Sequence, residues 1–257
     1  MEYPLGIVMQ WLSDFILPFI RIAAMLGVMA GIGAKTTPMR IKTVLAVTLT
    51  VMVAPMLPPS PFTDLFSFGM IIMVMQQMLI GVIIGFISML MLNTFVLAGQ
   101  IVAMQTGLGF ASMVDPVNGL SVPAVGQFYL ILATLLFWSL DGHMVLIQMV
   151  MYSFTAIPIG SGWLPVSDFE KIFNWGGWIF STALVLSLPP ITAMLTINMT
   201  FGILTRAAPQ LNVFTIGFPI TMISGLLILW ITLENFAFHF DNQWQQALIL
   251  ACDIIGC

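Results

Sequence analysis

Charge is the scarcest feature of this sequence. Only 6% of its 257 residues are Asp, Glu, Lys or Arg, while 60% are hydrophobic. A soluble domain carries about 25% charged residues. Six basic and ten acidic side chains cannot cover a soluble protein of 28.2 kDa. Lipid or neighbouring apolar subunits must therefore be the solvent for most of its exterior. The few Lys/Arg residues form no basic patch, which removes the electrostatic case for binding nucleic acid. Cysteine is almost absent: Cys252 and Cys257 flank Gly256 at the end of the chain and are read as incidental tail residues, with no disulfide framework or metal set. His143 and His239 are the only histidines and lie far apart. No P-loop, GxGxxG, HExxH or GxSxG motif occurs, so neither a cofactor nor an enzymatic activity is expected. Met1-Glu2-Tyr3-Pro4 has no basic n-region and no small-residue cleavage site, so the first apolar segment is expected to be retained as a helix.

Long apolar runs take the place of charge, and the mean hydropathy is +1.09. Crossing roughly 30 Å of hydrocarbon takes about 20 mostly apolar residues in a helix. Six stretches meet that length, at about residues 6–30, 41–57, 69–97, 124–157, 176–204 and 213–238. The third lies in a charge-free run over 65–114, and the fourth is interrupted by Asp141-Gly142-His143. Leu57-Pro58-Pro59-Ser60-Pro61, Gly160-Ser161-Gly162-Trp163-Leu164-Pro165 and Ala208-Pro209-Gln210 separate helices, because proline lacks the amide hydrogen that a continuing helix needs. The expected fold is all-α: a single integral-membrane domain of about six long apolar helices, without internal repeats.

The basic residues orient these helices. Lys35, Arg40 and Lys42 cluster between the first two, Arg206 lies between the last two, and Lys171, the only other basic loop residue, is accompanied by Asp168 and Glu170. The positive-inside rule places the 31–42 and 205–212 connections in the cytoplasm. Glu2, Asp241 and Asp253 then face the other side, and Trp163, Trp175 and Trp178 mark an interface. Hydropathy reports only an apolar environment, which a packed ring of subunits supplies as well as lipid does.

Several residues stand out against this background. Asp14 and Arg21 are seven apart and share one face of the first helix. Charges at membrane depth cost about 2.5–3.5 kcal/mol and face a bundle interior or water, so the pair is a proton or substrate relay, a structural pair or a subunit contact. Gly27/Gly31 and Gly81/Gly85 have the GxxxG spacing that lets helix backbones approach. The 21 methionines read mainly as helix filling. The most unusual stretch, 99–119, follows a long apolar helix yet is rich in Gly, Ser, Met and Gln. Gly107 and Gly109 allow backbone angles that other residues avoid, and Asp115-Pro116 ends any helix. It is too apolar for a solvated loop, and non-helical backbone at membrane depth needs protein or a water-filled cavity around it. It is either an apolar, glycine-hinged segment tucked against a channel or partner, or a plain connection.

Gly107-Leu108-Gly109-Phe110-Ala111-Ser112-Met113-Val114-Asp115-Pro116 resembles the glycine–phenylalanine–alanine to aspartate–proline stretch of the FliR (FliR/SctT) family of type III protein-export gates. Three further regions match in order. Phe19-Ile20-Arg21 with Gly31, Gly33, Pro38, Arg40, Lys42 and Pro55 is similar to the family's opening helices. Asp141-Gly142-His143 with Ser153-Phe154 and Pro158 is similar to its fourth-helix region, and Arg206 to Phe214 to its final hairpin turn, at Arg206, Pro209 and Gln210. The resemblance implies a flagellar export-gate subunit of the bacterial inner membrane and flagellar basal body. It implies FliP-like and FliQ-like partners, FlhB-like and FlhA-like export proteins nearby, and exported flagellar proteins as transient passengers. Residues 1–175 would be FliP-like, with a plug-like loop at 107–119, and 176–257 a FliQ-like hairpin and C-terminal tail. The implied pore plug is Gly107, Gly109, Phe110, Ala111, Ser112, Met113, Val114, Asp115 and Pro116; no catalytic, metal or cofactor residue is implied. Met113 replaces another bulky apolar residue often found there, and Asp14 belongs to no motif of the family. The alternatives are the injectisome homologue and a secondary transporter for a small solute or proton, which would need more intramembrane polar groups in two related halves.

Overall fold

The Ser67 side chain accepts a hydrogen bond from the Met70 amide (3.2 Å) and so caps the longest apolar run at its start. The run ends 38 residues later, where Gly107 turns into the left-handed region at φ 74°. This helix, α3 (Phe68–Gln105), is the spine of the molecule. The computed structural model describes residues 5–33, 37–60, 67–110, 112–114, 121–162, 165–207 and 217–256. Within them, α1 (Leu5–Val28) and α2 (Met39–Val53) precede α3. α4 (Ala124–Ser139), α5 (Gly142–Ala156), α6 (Val166–Ala207), α7 (Phe218–Leu233) and α8 (Phe236–Ile255) follow it. The only strands among the described residues are β1 (Ser112–Val114) and β2 (Ser121–Pro123), a short antiparallel pair. The chain is an all-α membrane-type fold.

Four helices are each long and apolar enough to cross a bilayer, and two bent pairs pass the same test together, giving six at most. One bent pair is α4 and α5, which meet at 63°. Asp141 stands at that corner with φ 54°, so the polar tripeptide is a helix break. The other is α7 and α8, at 59°. Residues 239–255, expected as a tail, are the greater part of α8. Two further expectations are corrected. Residues 99–105, read as part of the irregular stretch, continue α3, and Asp168, Glu170 and Lys171 lie in the first turns of α6 rather than in a loop. Cys252, read as incidental, is disulfide-bonded; Cys257 lies outside the described residues.

Helix length bears on where the molecule sits. At 1.5 Å per residue the 38 residues of α3 and the 42 of α6 extend about 57 and 63 Å. A bilayer's hydrocarbon is about 30 Å thick. Upright, half of each helix stands outside it and must be covered by something else.

Close backbone contacts fix the other helices on the spine. A Cβ on Gly81 would strike the Arg21 carbonyl, and one on Gly85 would lie 2.6 Å from the Met25 carbonyl oxygen. The Gly81/Gly85 pair is therefore the crossing of α3 with α1. Gly27 meets nothing within 4 Å, and Gly31 instead makes a turn at φ 80° under Trp138. Gly99 and Gly126 bring α3 and α4 together in the same manner. α8 is held by aromatics: Phe95 stands 5.0 Å from Phe236 and 5.7 Å from Phe240, and Phe137 meets Trp244 edge-on at 5.4 Å. Hydroxyls on apolar faces bond their own helix, as Thr196 and Thr200 do to Thr192 and Thr196 carbonyls (2.9 Å each), so they add no unsatisfied polar group.

The crossing yields a test. Gly81→Ala forces a methyl into backbone that cannot yield, and overpacking costs about 1–3 kcal/mol. It should sharply lower the amount of folded protein in membranes, whereas Gly27→Ala should leave it unchanged. Equal levels for the two variants would refute the assignment of the crossing.

Candidate functional site

The segment after α3 is built on a fully buried threonine. The Thr106 hydroxyl bonds the Val102 and Ala103 carbonyls (3.0 and 3.2 Å), and its amide bonds Val102 as well. Gly107 then reverses the chain, a tight turn follows at Leu108–Phe110, and β1 returns against β2 in the register Ser112↔Pro123, Met113↔Val122 and Val114↔Ser121. Of the residues expected to form a plug, Gly107, Gly109 and Phe110 are in the turn region and Ser112, Met113 and Val114 in β1. Ala111, Asp115 and Pro116 lie outside the described residues. The segment is thus a hairpin rooted at the end of the spine. An apolar cavity of about 460 Å³ lies at its root, between Leu108, Val125 and Phe128 on one side and Leu226, Leu229 and Trp230 of α7 on the other.

Asp14 and Arg21 have separate partners. Asp14 accepts from the Ser60 amide (2.6 Å) and from Gln10 (3.0 Å). Gln10 also donates to the Ser60 carbonyl, and the Ser13 and Ser60 hydroxyls meet at 2.8 Å. The proline-rich connection after α2 is thereby tied to α1. Arg21 is completely buried. Its Nε donates to Gln77 Oε1 (2.7 Å), Nη1 to the Ser153 carbonyl and hydroxyl (2.8 and 3.1 Å), and Nη2 to the Ile157 carbonyl (3.0 Å). The Phe154 ring centroid lies 4.3 Å from the guanidinium. Ser153 and Ile157 are at the C-terminal end of α5, where the dipole is negative; the Ser153 carbonyl also accepts from the Ile157 amide (2.9 Å), and the Ile157 carbonyl lies past the last helical turn. Arg21 is thus a cap for α5 supplied by α1, its charge offset by dipoles and a π face. Both residues pin one element to another, which supports the structural alternative over a relay.

Sequence reasoning missed these partners. The one available signal was Gln76-Gln77, two adjacent amides in a charge-free helix. Gln77 takes Arg21, while Gln76 bonds the Gly162 carbonyl. Arg206 is exposed in the last turn of α6, and Pro209 and Gln210 lie outside the described residues. The His143 ring lies against Trp138, centroids 4.4 Å apart and tilted by 37°. Among the described residues no three of His, Cys, Asp and Glu gather where a metal ion would bind.

The described residues define a helical, membrane-type chain with a short hairpin at the end of its spine. Residues 12–247 match the family described as bacterial export proteins, family 1. The chain is 36% identical to the flagellar biosynthetic protein FliR of Pectobacterium carotovorum subsp. carotovorum, over 96% of this chain and 94% of that one. It is 34% identical to the FliR of Escherichia coli (strain K12), over 96% and 95%. Identity to the FliR of Bacillus subtilis (strain 168) is 27%, over 84% of each. The chain belongs to the FliR family of bacterial flagellar export proteins.

Proposed function

We propose that the chain is a subunit of the flagellar type III export gate, in the bacterial inner membrane at the flagellar basal body. In this reading one copy completes a helical ring with FliP-like and FliQ-like subunits, next to FlhB-like and FlhA-like proteins, and flagellar proteins pass through the ring. The loop at 107–119 helps close the pore. Residues 1–175 form the FliP-like part and 176–257 the FliQ-like part, with the boundary inside the continuous α6.

The observation that carries the reading is the pairing of family membership over 12–247 with two helices about twice as long as a bilayer's hydrocarbon is thick. Such helices need protein neighbours. α6 carries Phe173, Phe180, Met199 and Ile203, and the two ends of α3 carry Phe68 and Met104, each more than 60% exposed in the single chain, and exposed apolar surface of this kind marks an interaction site or lipid. Arg21 and Asp14 are engaged as anchors, which leaves a solute transporter without its polar site.

The test is affinity purification of the tagged chain from native membranes. FliP-like and FliQ-like subunits should co-purify, and the chain should be unstable when they are deleted. A stable monomer or homodimer without partners in detergent would refute the proposal.

A further inference from the structure

Helix α7 touches the root of the hairpin at two points. A Cβ on Gly225 would lie 2.6 Å from Thr106 Cβ and 2.7 Å from its Cγ2. Two turns earlier on α7, Phe218 lies over Gly107, where an added Cβ would stand 3.3 Å from its ring. Thr106 has no room to yield. It is fully buried, its hydroxyl is bonded to two carbonyls of α3, and no rotation about χ1 moves Cβ. α7 itself is lightly held: Gly225 and Leu229 are its only buried residues, while Ile223, Leu226, Leu227 and Trp230 are more than half exposed.

We infer that α7 is the positioning element of the hairpin, with Gly225 against Thr106 as the contact through which a displacement of α7 shifts the loop. This deepens the role proposed above for the 107–119 loop and rests on it for its functional meaning. Position itself is physical and is read separately. A partner covering the exposed face of α7 acts on the loop through these two contacts, and the closer of them exists only because residue 225 has no side chain.

The experiment uses assembled complexes in native membranes, with Cys252 and Cys257 changed to Ser and Ser112→Cys as reporter. Its rate of reaction with a water-soluble maleimide is compared across variants. Gly225→Ala should change that rate about five-fold or more, the scale of a coupling of about 1 kcal/mol. Adding Thr106→Gly removes both clashing atoms and leaves only Thr106 Cα, 3.4 Å away, an ordinary contact. The double variant should therefore return to the parental rate, which a general loss of stability would not do. If Gly225→Ala fails to accumulate, Phe218→Ala carries the test and should also shift the rate. An unchanged rate, or a shift that Thr106→Gly does not reverse, would overturn the inference. Ion leakage through the same complexes reports on the sealing role alone: labelling that shifts without leakage leaves the coupling standing and removes the plug.

Discussion

Arg21→Ala is expected to remove most of the folded protein from the membrane. The variant removes the donor to the buried Gln77 Oε1 and to the half-buried Ile157 carbonyl, and leaves the Ser153 carbonyl only its bond from the Ile157 amide. Each buried polar group so orphaned costs about 1–3 kcal/mol. Losing these bonds together costs a few kcal/mol, against a total stability of about 5–15 kcal/mol for a typical domain. The partners come from α3 and from the end of α5, 56 to 136 residues away, so the loss loosens three helices at once. Arg21→Lys should recover only part of the protein, because a single ammonium cannot direct donors along the Nε, Nη1 and Nη2 directions together. Protein level in membranes and thermal unfolding in detergent read the effect. A relay residue would behave differently, with normal levels and lost activity. Normal level and normal melting for Arg21→Ala would refute the capping role.

Deleting residues 110–114 should give a complex that assembles but leaks ions and small molecules. The cut removes β1, and with it the partner of β2, while leaving Thr106 and Gly107 in contact with α7. The helices that make every long-range packing contact described above are untouched, so assembly should survive. Each 1.4 kcal/mol of closed-state stabilisation lost raises the open population about ten-fold. Burying one Phe, Met or Val side chain contributes about 1.5–3 kcal/mol, so with Phe110, Met113 and Val114 removed, conductance in planar bilayers or liposome efflux should rise about ten-fold or more. Unchanged conductance from an intact complex would count decisively against a sealing role.

Much of the architecture was legible in composition and local pattern. The six apolar stretches correspond to four single-helix candidate spans and two bent helix pairs, because helix length and hydropathy are properties of neighbouring residues. Asp141-Gly142-His143 could be placed at a break for the same reason, as could Pro58 and Pro59. Some local readings went astray where the chain context was ambiguous. Residues 99–105 are glycine- and glutamine-bearing yet helical, because Gly99 is used for contact with α4 rather than for a turn. The end of the chain was read as a tail because its polar residues mask an apolar face, on which Phe240, Trp244 and Ala247 pack.

By itself, then, the sequence determined the solvent of this protein, its helical class, its breaks and its family. The first three follow from near neighbours, the last from motifs in order. Only the tertiary structure decided which of two GxxxG pairs is a crossing, what a buried arginine caps, and what grips the root of the 107–119 loop. Those outcomes join residues dozens to more than a hundred positions apart, and no periodicity along the chain encodes a partner at such a distance. Glycine shows the difference most clearly. Gly27 and Gly81 open the same pattern, and only the presence or absence of a facing backbone within 4 Å tells them apart.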